Sequence, residues 1–244
     1  MQCETKTKLI EERMNDMSES SSNRDIQIIM MGDSDISRWP SHLYPTTNVN
    51  HRIIQEGQSG ALLNDLKRNQ LPLVLDQLQQ QQSSSSLCFI ACAGENDIGS
   101  GYPIHHIMES FEQLIQSLLG LVKETRNIYL LFLGPKLEPW LQKDISSWKQ
   151  YTKLSKAMKR ACHRHNATTT TPNMYIQFID CLTMFCGDTS TIPGAITAQR
   201  CIPQSQYFHS DGLHLSDEGY KIWKTVIENH INSIQSNNME QKNI

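Results

Sequence analysis

Five short apolar runs, each stopped within a few residues by Gly, Pro or Asp, set the terms on which this chain can fold. They cover 26–31, 49–55, 87–93, 127–133 and 174–179, and each is long enough for one buried strand and too short for a helix. Between them the period lengthens to that of a helix. Ile104, Ile107, Met108, Phe111, Leu114, Ile115, Leu118, Leu119 and Val122 mark one helical face. Leu141, Ile145, Trp148, Leu154, Met158 and Ala161 mark a second, and 61–66 with 72–78 suggest a third, broken at Pro72. The last helix should begin at Ser216, which can cap it. Asp217 and Glu218 suit its positive end, and Ile222, Trp223, Val226, Ile227 and Ile231 form its stripe. Repeated strand–helix alternation of this kind predicts an α/β fold, a five-stranded and mostly parallel sheet covered on both faces.

The apolar 38% of the 244 residues lies in these discrete runs, so one core can be buried and a single domain over 25–234 is expected. Polar tails over 1–24 and 235–244 should flank it, and the tracts QQQQSSSS and TTTT should be surface loops. The net charge is −3 and no segment concentrates Lys or Arg, which argues against a nucleic-acid partner. No apolar core of a signal peptide occurs in the first 25 residues and no run is long enough to span a membrane, so a soluble, cytoplasmic protein is expected. Cys88 and Cys92 lie roughly 13 Å apart along one strand and cannot bridge. Cys181, Cys186 and Cys201 lie nearer loops and could pair, although reduced, partly buried thiols are the commoner state in such a chain.

In open parallel sheets, functional groups gather beyond the carboxyl ends of the strands. There the first strand delivers Gly32-Asp33-Ser34-Asp35, the second Gly57-Gln58-Ser59-Gly60 and the third Gly94-Glu95-Asn96-Asp97. The loop before the last helix delivers Asp211-Gly212-Leu213-His214. Together these supply a hydroxyl nucleophile, a base, an orienter for the base and oxyanion donors, which is the set acyl transfer requires. His214 can take the proton of Ser34, and Asp211 can hold the other imidazole nitrogen. The N–H groups of Ser34 and Gly60 and the amide of Asn96 are the candidate oxyanion donors. This chemistry needs no cofactor and no metal.

Through these four blocks, in this order, the chain resembles the SGNH hydrolases, also called GDSL esterases and lipases. GDSDISRW, AGENDI and DGLHLSDEGY look particularly like the small single-domain esterases and lysophospholipase-like members. The resemblance implies a flavodoxin-like, three-layer α/β/α sandwich. It also implies Ser34 as nucleophile, Gly60 and Asn96 completing the oxyanion hole, and Asp211 and His214 completing the triad. Two departures stand out. Gln55-Glu56 replaces the more usual Asn-Arg, and Asp35 replaces the Leu or Ile usual after the serine. Asp35 either faces the site, where it would repel anionic substrates, or caps the following helix; capping is the expectation.

Other polar residues read as structural. Ser59 falls one residue short of a Gly-x-Ser-x-Gly elbow and should shape the Gly60 turn. Asp33 and Asp97 should hold loop backbone, Asp180 should close its strand, and His105, His106, His163 and His165 lack zinc-site spacing. The expected activity is hydrolysis of small-molecule or lipid-derived carboxylic esters through an acyl-serine. An acyltransferase, a lysophospholipase-like lipase or a non-catalytic binding module are the alternatives. Residues 182–210, without helical period and carrying Gly187, Pro193, Gly194 and Pro203, should form an irregular rim suited to short acyl groups.

Overall fold

A computed structural model describes residues 26–46, 53–80, 86–121, 127–168, 173–187 and 202–240. Its five strands are β1 (Ile26–Gly32), β2 (Ile53–Gly57), β3 (Ser86–Cys92), β4 (Ile128–Leu133) and β5 (Met174–Ile179), all parallel in the order β2-β1-β3-β4-β5. Every residue of β1, β3 and β4 is buried, as near-continuous apolar strands covered on both faces must be. Gly32 is level with Gly57 and Cys92, Cys92 with Leu133, and Leu133 with Ile179. The strand ends therefore form one ledge from which the site loops leave.

The helices are α1 (Ser34–Ser37), α2 (Leu63–Asp65), α3 (Leu71–Gln79), α4 (Glu95–Gly99), α5 (Ile104–Leu119), α6 (Ile145–Thr168) and α7 (Asp217–Glu240). Ile29 and Met31 of β1 enter a cluster with Phe111, Leu114, Leu154 and Met158 of α5 and α6. The alternate residues Ile28 and Met30 enter a second cluster with Ile36, Trp39, Trp223 and Ile227. The three-layer sandwich follows from that alternation. Phe111 and Phe132 meet edge to face at 4.7 Å in the first layer, and Phe111→Ala there would cost about 3–5 kcal/mol. In the second layer Trp39, Tyr220 and Phe185 surround the fully buried Trp223.

Several boundaries depart from expectation. β2 begins at Ile53 and runs through Glu56 to Gly57, while 49–52 lie outside the described residues. The third helix is interrupted before Pro72 rather than at it. A π-helical turn over Leu66–Gln70, in which Leu71 N–H reaches Leu66 C=O, accommodates the missing proline donor and leaves Pro72 in the first turn of α3. Leu141 sits in a separate 3₁₀ turn, Pro139–Lys143, ahead of α6. The expected C-terminal tail is helical as far as Glu240, because α7 carries on past its buried stripe. The tail over 1–24, and 81–85 and 169–171 of the two low-complexity tracts, lie outside the described residues.

Candidate active site

Ser34 is held by the end of β1. A Cβ on Gly32 would lie 2.4 Å from Cys92 C=O and 2.5 Å from Ile36 Cγ1, so only glycine allows α1 to turn this tightly. Both backbone groups of Gly32 are clamped by the buried Gln70 side chain, N–H to Oε1 and Nε2 to C=O, each at 2.8 Å. Asp33 caps α1 by accepting Asp35 N–H at 3.0 Å. Ser34, half-buried, begins the helix with its own N–H donating to nothing among the described residues.

The neighbouring loops are registered on this one. Gln55, one of the two unusual residues of the second block, donates to Ile36 C=O and accepts from Tyr44 OH, and Glu56 accepts from Gln77 at 2.5 Å; both departures are structural. Gln58 N–H donates to Gly32 C=O at 2.9 Å, and Ala61 N–H closes a turn on Gln58 C=O at 3.0 Å. Gly60, at φ +77°, takes the left-handed position that a type II turn requires, and its N–H is unpaired among the described residues. Ser59 lies exposed on the same turn. Beyond β3, Asn96 donates Nδ2–H to Ala61 C=O at 3.1 Å and Asp97 accepts Leu63 N–H at 3.1 Å. Gly60 and Asn96 are thus on loops joined side by side.

The loop over 208–215 is a small closed unit. Phe208 and Leu215 form an antiparallel bridge, and His209 N–H donates to His214 C=O at 2.8 Å. Inside it Asp211 Oδ1 accepts Leu213 N–H at 2.9 Å and His214 N–H at 3.0 Å, while Oδ2 lies 2.7 Å from His214 Nδ1. The ring and the two N–H groups hold the Asp211 carboxyl well below its usual range. A carboxylate on Nδ1 keeps the proton there and leaves Nε2 free to accept one. Among the described residues the side-chain hydrogen bond of His214 is to Asp211 and none joins it to Ser34; catalytic contacts of this kind commonly tighten only around substrate. Tyr220 OH donates to Asp35 C=O at 2.8 Å and pins α7 to α1.

Behind Ser34 lies a group that sequence reading missed. Lys136 is buried, its Nζ 2.6 Å from Asp35 Oδ2, 2.9 Å from Glu95 Oε2 and 2.7 Å from Glu138 Oε1. Asp35 is therefore not the helix cap: Asp33 fills that role, and the Asp35 side chain points inward to a lysine. Burial alone would discharge the ammonium, but Asp35, Glu138 and Glu95 outweigh it and raise the Lys136 pKa well above its ordinary value. The available signal was a lysine and a glutamate, Gly134-Pro135-Lys136-Leu137-Glu138, placed directly after a fully apolar strand.

The remaining polar residues have structural partners. Asp180 accepts weakly from Leu182 N–H at 3.4 Å and pairs with Lys159 at 3.5 Å. His165 binds Glu112, and His105 packs on His106. Cys88, Cys92, Cys162 and Cys181 are free and buried, but Cys186 is disulfide-bonded, contrary to the expectation of reduced thiols. Cys186 also forms an antiparallel bridge with Pro203. The middle of that segment, 188–201, lies outside the described residues. Asp33, Asp35 and Cys92 approach closely enough to share a metal ion, yet the Lys136 ammonium already supplies the cation on Asp35. No helix among the described residues is long and apolar enough to cross a membrane.

No family model and no curated protein sequence matches this chain. Solved structures do. A member of the lipolytic protein G-D-S-L family from Veillonella parvula is 14% identical with a TM-score of 0.55, over 83% of this chain and 97% of that one. The chain has the fold of that protein. A carbohydrate esterase family 3 protein from Talaromyces cellulolyticus shares it at 14% identity and a TM-score of 0.57, over 87% and 99%. A carbohydrate acetylesterase family member from Sinorhizobium meliloti does so at 16% and 0.53, over 86% and 99%. In each case the match covers nearly the whole of the other chain.

Proposed function

We propose that this protein is a serine esterase that hydrolyses carboxylic esters through an acyl intermediate on Ser34. The observation that carries the reading is the Asp211–His214 pair, 2.7 Å apart, with Asp211 locked by two backbone N–H groups and Nε2 left open. His214 Nε2 takes the Ser34 proton as Oγ attacks the ester carbonyl, and then returns it to the departing alcohol. Asp211 stabilises the imidazolium between the two transfers. The unpaired N–H groups of Ser34 and Gly60, with the second amide hydrogen of Asn96, receive the oxyanion. Water, activated by the same His214, releases the acid.

Short acyl groups on small or carbohydrate-like alcohols are the proposed substrates. The described parts of 182–187 and 202–210 contain turns and one 3₁₀ turn rather than a long amphipathic lid, and two structures of the same fold carry names of carbohydrate esterases. Labelling the purified protein with a fluorophosphonate and locating the adduct by mass spectrometry tests the assignment. An adduct on Ser34 that is lost in His214→Ala supports it; labelling elsewhere, or none, refutes it.

A further inference from the structure

Resting on the esterase reading above, we propose that Lys136 is a positioning residue of the reaction, a single buried ammonium that ties three loops of the site into one mutual geometry. Its three hydrogen-bond donors are spent on three carboxylates from different parts of the chain. Asp35 adjoins Ser34 and Glu95 adjoins Asn96. Glu138 acts through its other oxygen, which accepts Trp140 Nε1–H at 2.5 Å. The Pro139 ring and the Trp140 backbone N–H in turn lie beside Gly212 in the loop carrying Asp211 and His214. A Cβ placed on Gly212 would sit 3.4 Å from Pro139 Cβ and 3.8 Å from Trp140 N. Lys136 also holds its own loop to α4, its N–H donating to Glu95 Oε1 at 2.7 Å.

Stability alone does not call for such a cluster. Lys136 is 1% exposed and Glu138 0%, and well-packed apolar residues commonly replace buried ion groups without loss, or with gain, of stability. Asp35 Oδ1 is moreover buried with no hydrogen-bond partner among the described residues, a cost that apolar packing would avoid. What the ions provide is directionality: three fixed bonds of 2.6–2.9 Å from one nitrogen set the spacing of the residues beside them. Besides its three partners Asp35, Glu95 and Glu138, the ammonium acts through its charge on Asp33 beside α1, Cys92 of β3, Tyr151 of α6, Cys181 after β5 and Tyr220 of α7. Carboxyl groups outnumber the cation, so removing it leaves like charges together directly behind the nucleophile.

The test compares Lys136→Met, Glu95→Gln and the triple variant Asp35→Leu/Lys136→Met/Glu138→Leu in the full chain. Fluorophosphonate labelling rate, kcat and KM for p-nitrophenyl acetate across the pH range, and Tm are measured on each. Lys136→Met should lower kcat and the labelling rate about 100-fold with KM changed less than about twofold. Its remaining activity should peak at lower pH than that of the unsubstituted protein, because the uncompensated carboxylates must take up protons before the loops return. Glu95→Gln keeps the bond from Lys136 N–H but turns an amide NH2 toward the ammonium, so it should cost about tenfold in kcat at unchanged KM, with a lowered Tm; it decides the matter if Lys136→Met fails to fold. The triple variant should recover Tm but not kcat. Full recovery of kcat in the triple variant, or an unchanged kcat in Glu95→Gln, overturns the proposal while the esterase reading survives. An unsubstituted protein that neither labels nor turns over ends both.

Discussion

Tyr220 and Asp35, 185 residues apart in the chain, are joined by a 2.8 Å hydrogen bond from the phenol to the backbone carbonyl of the residue after Ser34. The Tyr220 ring also packs on Trp39 and Trp223, so helix α7 is fixed to the Ser34 loop by both packing and a hydrogen bond. Tyr220→Phe keeps the packing and leaves a buried carbonyl unpaired, at a cost of about 1–3 kcal/mol. Thermal unfolding should show that loss. A Tm within about 1 °C of the unsubstituted protein would mean that water replaces the phenol.

Ser34→Ala and His214→Ala should each lower kcat by about 1000-fold or more, whereas Ser59→Ala, on its exposed turn, should retain most activity. Asn96→Ala should cost about 100-fold, through the loss of one oxyanion donor and of the tie to Ala61 C=O. Steady-state kinetics on one soluble ester measures all four. Loss in Ser59→Ala with none in Ser34→Ala would reverse the assignment.

Because Asp211 is held well below the usual carboxylate range, it stays charged throughout the range in which histidine titrates. The acid limb of kcat/KM should therefore carry no ionisation of Asp211. Asp211→Asn should reduce kcat by about 10³–10⁴-fold through the wrong tautomer. An unchanged kcat in the variant would remove Asp211 from the triad.

Asp33 offers a test of stability rather than rate. Burial, followed by the nearby charges of Asp35 and Glu95, raises its carboxyl well above the ordinary value. The folded protein thus holds a proton that the unfolded chain releases near pH ~4. The stabilisation is complete below that pH and is lost as pH rises through the folded value. Asp33→Asn keeps an oxygen for Asp35 N–H and removes the ionisation. The Tm of the unsubstituted protein should fall progressively behind that of Asp33→Asn as pH rises from about 4, and a difference independent of pH would assign the proton to another group.

Substrate size is checked with p-nitrophenyl esters of increasing chain length. kcat/KM should be greatest from acetyl to butyryl. A steady rise to the longest chains, with a jump above the micellar threshold, would overturn the proposed short-chain preference in favour of an apolar acyl channel.

The alternation of strands and helices was legible because each element buries its own stripe, and a stripe is written locally in the sequence. The proximity of Asp211 to His214 was legible for the same reason: three residues separate them, and the loop closes on itself through Phe208 and Leu215. Gln70 and Lys136 were not. Their partners lie 38 residues away for Gln70 with Gly32, and 101 for Lys136 with Asp35, and a polar side chain facing inward has no period to betray it. Asp35 was misread because an acidic residue at the start of a helix suits the helix dipole equally well when its side chain points elsewhere.

The π-helical turn over Leu66–Gln70 couples the register of a surface helix to the nucleophile loop. One residue more than an α-helical repeat turns Gln70 inward onto Gly32, between Leu66 and Leu71, which both face the core. Deleting a single residue from that turn would restore a regular helix and keep its propensity, yet swing the amide off Gly32. The helix would look mended in every local respect while the strand end that carries Ser34 lost its clamp.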